Sequence, residues 1–73
     1  MVSRGTVARA SEREQRRRAR LAGECRRYRV TNKAIADAAA VDPSMVSHWF
    51  AARFDSERVQ STVLRLLDEA RVA

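Results

Sequence analysis

Arginine is the side-chain type with which this protein has the most opportunity to bind a partner. Of the 15 basic residues 14 are Arg, and residues 1–30 hold ten Arg against three Glu, whereas residues 31–73 hold five basic and six acidic residues. A guanidinium group presents a planar fork of N–H donors that fits a phosphate group in a bidentate contact. The same Arg content is also typical of a GC-rich genome, which would supply the thirteen Ala as well. Both explanations stay open, and the first predicts a polyanionic partner for the N-terminal part.

Other reactive side chains are few and isolated. Cys25 is the single cysteine and His48 the single histidine, so the sequence offers neither a disulfide nor a cluster with metal-ligand spacing. A chain of 73 residues buries only about 60% of the surface that its unfolded form exposes, which leaves little room for a water-excluding catalytic cavity. We therefore expect a protein that is not an enzyme and that takes no cofactor, metal ion or small-molecule substrate.

No segment of the sequence is typical of secretion or of a membrane span. The N-terminus is rich in Arg but lacks the apolar stretch of a signal peptide, and the longest apolar run, residues 38–41, is far too short to cross a bilayer. A lone Cys is compatible with a reducing cytosol. These features predict a cytoplasmic protein without membrane partners.

The predicted fold class is all-α. β-branched and aromatic residues are sparse, and two Gly and one Pro are too few to separate a set of short strands. Residues 1–10 lack hydrophobic periodicity and are predicted to form a flexible basic arm. Residues 11–73 are predicted to form one small four-helix domain.

A long basic helix is predicted to begin the domain and to run to about Tyr28. Ser11 and Glu14 have the spacing of a capping box, in which each side chain binds a backbone N–H at the helix start. The apolar residues at helical spacing are Leu21, Cys25 and Tyr28. Because residues 12–20 carry charges on every face, we expect only the second half to be packed and the first half to project into solvent.

Three further helices are predicted. Thr31 or Asn32 can cap the second, Asp42 followed by Pro43 begins the third, and Asp55 or Ser56 caps the fourth, which reaches about Arg71. The inward residues of the second and third are predicted to be Ile35, Ala36, Met45, Val46, Trp49 and Phe50. Those of the fourth are predicted to be Val59, Val63, Leu66, Leu67 and Ala70, with Leu64 widening the stripe.

Residues 32–51, NKAIADAAAVDPSMVSHWFA, have the pattern of a helix-turn-helix, in which a tight turn joins two short helices. Ala36 is small where the helices are expected to cross, Val41 follows the turn as a buried plug, and Val46 faces the first motif helix. A chance pair of amphipathic helices is the alternative interpretation.

The sequence resembles the helix-turn-helix transcription regulators, both the phage Cro and repressor group and the lactose-repressor group. The similarity covers about residues 30–71, where VTNKAIADAAAVDPSMVSHWFAAR followed by DSERVQSTVLRLLDEAR is similar to the lactose-repressor headpiece in order and spacing. No large sugar-binding domain follows, so the chain is expected to be a stand-alone phage-type or small bacterial regulator. Ala40 departs from the family, which usually has glycine in the turn, and a left-handed conformation costs Ala about 1 kcal/mol.

The resemblance implies a sequence-specific regulator of transcription that binds double-stranded DNA, a repressor or phage-like control protein in a bacterial or phage-infected cell. In the family, the second motif helix lies in the major groove. The base-reading residues implied here are Pro43, Ser44, Ser47 and His48. Asp42 is interpreted as a helix cap, with acceptance of a hydrogen bond from cytosine N4 as the alternative.

Phosphate contacts are expected to supply most of the affinity. Asn32 matches the family residue that holds a phosphate, and Lys33 and Arg53 lie at either end of the motif. The further basic residues expected to contact phosphates are Arg4, Arg9, Arg13, Arg16, Arg17, Arg18 and Arg20. A basic arm can also enter the minor groove, as homeodomain arms do, while the alternative is that these residues only raise solubility.

A homodimer is also expected, because one such motif contacts only a few base pairs and an apolar patch on a DNA-binding domain is typical of an interface. The predicted interface residues are Phe54, Leu64, Leu67 and Val72. Two other functions stay open. Residues 12–29 resemble the arginine-rich RNA-binding helices of phage antiterminators, and the helices could instead form a protein-interaction module.

Overall fold

The computed structural model describes residues 11–73, and these form four α-helices with no β-strand among them. Helices account for 76% of the described residues. They are α1 (Glu12–Arg27), α2 (Asn32–Ala39), α3 (Pro43–Phe50) and α4 (Glu57–Val72). The all-α prediction is confirmed for this part of the chain, whereas the predicted flexible arm, residues 1–10, lies outside the described residues. None of the four helices is long and apolar enough to cross a membrane.

Each helix begins after a side chain that accepts a hydrogen bond from a backbone N–H two or three residues further on, at 3.0–3.2 Å. Such caps satisfy N–H groups that have no partner within the first turn of a helix. The N-caps are Ser11, Thr31, Asp42 and Ser56. The sequence left two of these caps open. The cap of α2 is Thr31 rather than Asn32, and the cap of α4 is Ser56 rather than Asp55.

One apolar cluster joins the four helices. Helix α2 packs against α3 and α4, and α1 packs against the same two helices. Leu21 and Cys25 are the buried apolar residues of α1 in this cluster. The fully buried large side chains of the other helices are Ile35, Val46, Trp49, Val59, Val63 and Leu67.

Three apolar residues differ from their predicted places. Leu67 was predicted at a dimer interface but is fully buried, because its four-residue spacing from Val59 and Val63 puts it in the middle of the buried side of α4. Met45, predicted to face inward, is 39% exposed beside the buried Val46. Tyr28 is 36% exposed at the C-cap of α1, just beyond the packed part of that helix.

The first half of α1 is exposed at most positions but is not solvated on every face as its charges predicted, because Arg18 is only 3% exposed. Its Nε donates to Glu14 Oε2 at 2.8 Å, and its Nη1 donates to the carbonyl oxygens of Trp49 at 3.1 Å and Phe54 at 3.0 Å. Its Nη2 donates to the carboxylate of Asp55. Burial lowers the pKa of Arg18, but the hydrogen bonds to Asp55 and Glu14 outweigh it and hold that pKa above its ordinary value. The charged group is thus fully engaged in joining α1 to the end of α3.

The turn between α2 and α3 has a left-handed residue at its centre. Ala40 is the C-cap of α2, with φ 58° and ψ 47°. The N–H of Val41 donates to the carbonyl of Ala36 at 3.0 Å, which closes the turn. Ala40 therefore adopts the left-handed conformation that is unfavourable for an alanine.

Replacing Ala40 by Gly should raise the free energy of unfolding by up to about 1 kcal/mol, because glycine adopts positive φ without a Cβ clash. Chemical denaturation measures the change. The matched control is Ala38→Gly in the exposed, right-handed part of α2, which should lower the free energy of unfolding by about 0.5–1 kcal/mol. A lower stability for Ala40→Gly would contradict the left-handed turn.

Replacing Arg18 by Ala should lower the free energy of unfolding by about 2–4 kcal/mol, because two backbone carbonyl groups lose their partner in a mostly buried place. The free energy of unfolding of Arg18→Lys should lie between those of the wild type and Arg18→Ala, since an ammonium group lacks the planar fork. The control is Arg16→Ala, whose exposed side chain lies 3.8 Å from Glu12 and should change stability by no more than about 0.5 kcal/mol. Equal effects of Arg18→Ala and Arg16→Ala would show that the Arg18 contacts contribute nothing.

Candidate nucleic-acid interface

The exposed side of α3 is a neutral, mostly polar face. Val46 and Trp49 are fully buried on the other side of this helix. The residues exposed at helical spacing are Pro43, Ser44, Ser47, His48 and Ala51, which we call the α3 outer face. All four residues that the sequence predicted to contact bases lie on it, so the structure brings them together.

Hydrogen bonds within the chain divide these side chains into two kinds. Neither Ser47 nor His48 has a side-chain hydrogen-bond partner within residues 11–73. Ser44 differs, because both its hydroxyl and its backbone N–H donate to Asp42 Oδ2. The hydroxyl bond above all, and then the N–H bond, lower the pKa of Asp42, which keeps this cap ionised. Ser44 is therefore left as an acceptor, whereas Ser47 and His48 are free to donate.

The three predicted phosphate contacts of the motif are all exposed. Asn32 is the first residue of α2 and Arg53 follows the end of α3, and neither side chain has a partner among the described residues. Lys33 lies 3.0 Å from Asp37, but both side chains are more than two-thirds exposed, so water competes for the pair. The three residues are accordingly accessible to an anion.

The predicted phosphate-binding arginines of α1 do not share one environment. Arg18 is buried with its donors engaged, so the prediction that it contacts phosphate is wrong. Arg17 is half-buried and donates to Gln60 Oε1 at 3.1 Å. The arginines exposed on this helix include Arg13, Arg16 and Arg20. Arg4 and Arg9 lie outside the described residues.

A cleft at the junction of α1 and α2 was not predicted. Its volume is about 450 Å³, and its lining residues are Cys25, Arg26, Arg29, Val30, Thr31 and Asn32. Arg26 and Arg29 are exposed, and no ion-pair partner lies near either within residues 11–73. The dense run of arginines up to Arg29 is the sequence signal for them, and both lie within residues 12–29, the segment of the RNA-binding alternative. Burial raises the pKa of the Cys25 thiol, which keeps it protonated beside this cleft.

Among the described residues, no three His, Cys, Asp or Glu side chains are grouped so that they could hold a metal ion. Comparison with family models, with curated proteins and with solved structures finds no match to this chain. What the surface can do chemically follows from its side chains. The α3 outer face offers neutral donors and acceptors, and the neighbouring segments offer cations.

Proposed function

We propose that this protein is a sequence-specific regulator of helix-turn-helix type that binds double-stranded DNA, with α2 and α3 as the motif helices. The observation that carries the proposal is the α3 outer face, which is polar, uncharged and free of steric cover within the described residues. The major groove of B-DNA, about 12 Å wide, admits an α-helix and presents donors and acceptors on its base edges. A short helix anchored on one side and polar on the other fits that groove.

The turn before α3 supports the same proposal. Ala40 adopts the left-handed conformation, and the next residue, Val41, is half-buried and packs against the core. Ala36 and Val46 are buried as well, with 1% and 0% exposure. The small residue, the plug and the inward residue thus occupy the environments that a helix-turn-helix requires of them.

The proposed recognition uses few groups. Ser47 and His48 donate to base edges, with guanine N7 and O6 as the acceptors that suit His48. Ser44 accepts, because its proton is held by Asp42, and Pro43 offers apolar contact to a thymine methyl. Asn32, Lys33 and Arg53 hold phosphates beside the groove.

Replacing Ser47 or His48 by Ala should change the base preferred at one or two positions, because each well-formed contact is worth about 1–3 kcal/mol of discrimination. Selection from a random duplex library, followed by binding titrations, measures this. Ser61→Ala is the control, since Ser61 is an exposed serine on α4 and should leave the preference unchanged. If both α3 variants select the wild-type consensus with wild-type affinity, α3 does not contact the bases.

The predicted homodimer stays a prediction and now depends on fewer residues. Leu67 is buried, and Phe54 is half-buried and packs against the core. Leu64 at 43% and Val72 at 80% exposure are the predicted interface residues that remain accessible. A two-fold dimer would place the two α3 helices in successive major grooves about 34 Å apart.

Leu64→Glu combined with Val72→Glu should convert such a dimer to a monomer, because charges would be buried in its interface. Sedimentation velocity, with and without the selected duplex, measures the state. Ala19→Glu adds a charge at an exposed position of α1, away from these residues, and should leave the dimer intact. Sedimentation of the wild type as a monomer in both conditions would refute the dimer.

A further inference from the structure

The side of α1 that faces away from the core carries four arginines in one line. Leu21 and Cys25 are buried on the opposite side of the same helix, together with Arg18. The residues exposed along the outer line, at alternating spacings of three and four, are Arg13, Arg16, Arg20, Gly23 and Arg27. We call these five residues the α1 outer stripe.

Little negative charge offsets this stripe. Arg16 lies 3.8 Å from Glu12, but both side chains are at least three-quarters exposed, so the pair is weak in water. Its other arginines form no salt bridge within residues 11–73, although the carboxylate of Glu24 attracts Arg20 and Arg27 at longer range. Glu24, beside the second half of the stripe, accepts a hydrogen bond at 2.7 Å from Arg71, which offsets its charge. The outer stripe therefore presents a net positive surface.

Gly23 is the feature that points to a closely approaching partner. It lies inside α1 between Arg20 and Arg27, where glycine lowers helix stability relative to alanine. A Cβ placed on Gly23 would meet nothing within 4 Å. No neighbour in the described chain therefore requires a glycine here, whereas an outside surface that contacts the helix backbone would.

The stripe is long enough to contact several phosphates of a nucleic-acid backbone. From Arg13 to Arg27 the helix axis rises by about 21 Å at 1.5 Å per residue. This is about six base-pair steps of duplex DNA at 3.4 Å each. Guanidinium groups on both sides of a bare helix surface can contact phosphates while the helix itself lies close to the groove.

The outer stripe and the α3 outer face point away from one shared core. Helix α1 contacts α3 through buried groups, among them the guanidinium of Arg18, which lies 4.5 Å from the ring centroid of Trp49. Each helix exposes the side opposite to these contacts. The two surfaces therefore lie on different helices and share no residue.

We propose that Arg13, Arg16, Arg20 and Arg27 form, around Gly23, a second DNA-binding surface that holds the phosphate backbone of a duplex other than the one that α3 contacts. This inference rests on the proposed function, to which it adds a second and sequence-independent contact. The protein then bridges two duplexes, one recognised by its bases and one by its phosphates.

A two-duplex capture assay tests the charge of the stripe. The full chain is bound to an immobilised duplex obtained by the library selection, and a fluorescent duplex of random sequence is added at physiological salt. Arg20→Ala combined with Arg27→Ala should lower capture of the second duplex by about tenfold, because released counterions supply most of such binding. Arg58→Ala with Arg65→Ala removes the same charge from exposed positions of α4 and should leave capture within about twofold. Equal losses in the two double variants would overturn the proposal.

Replacement of Gly23 tests the close approach. Gly23→Gln should raise the melting temperature, because glutamine is a better helix former and the space is open. The same change should lower capture of the second duplex severalfold. Ser61→Gln, at an exposed position of α4, should leave capture unchanged. Unchanged capture by a stabilised Gly23→Gln protein would overturn the role of the bare backbone.

The failure of this inference can be told apart from failure of the proposed function. Ser47→Ala with His48→Ala should change the selected sequence but not the capture of the random duplex. If the stripe variants lose capture while the α3 variants select the wild-type sequence, the stripe stands and recognition by α3 fails. If a structured RNA displaces the second duplex at far lower concentration than duplex DNA does, the second surface is an RNA site and the proposed DNA occupant is wrong.

Discussion

The guanidinium group of Arg18 is the interaction on which the arrangement of the helices depends. The last carbonyl groups of a helix have no partner within it, and the Nη1 of Arg18 binds the carbonyl of Trp49 near the end of α3 and that of Phe54 beyond it. Its Nη2 binds Asp55, which directly precedes the cap of α4, and its Nε binds Glu14 of its own helix. One planar group therefore joins α1, the end of α3 and the start of α4.

The position of Arg18 over Trp49 also determines which side of α3 faces outward. Trp49 is the largest fully buried side chain, and Phe50 meets it edge to face, with ring centroids 5.3 Å apart. The indole Nε1–H is buried and has no partner among the described residues, which is unfavourable by about 1–3 kcal/mol. Burial of the ring and its contact with the guanidinium group offset that loss. Because the ring is held on this side, Ser47 and His48 are exposed on the other.

The features that the sequence predicted well are those whose partners lie three or four residues away. Caps such as Asp42 and the buried side of α4 follow from such local spacing, and Leu67 could have been placed correctly from its register with Val59 and Val63. The contacts of Arg18 could not be predicted in this way. Two of its acceptors lie 31 and 36 positions along the chain, and a local hydrophobic pattern counts every arginine as solvated.

The separation of charge from the α3 outer face has a physical consequence under the proposed function. That face has no cationic side chain, and the nearby Asp42 carboxylate is bound by Ser44. Discrimination between bases then comes from neutral hydrogen bonds, which release no counterions. Lys33 and Arg53, beside that face, contribute the attraction to phosphates, which weakens as salt rises. The attraction to phosphates and the base preference therefore reside on different residues, so salt changes the strength of binding far more than it changes the sequence that is preferred.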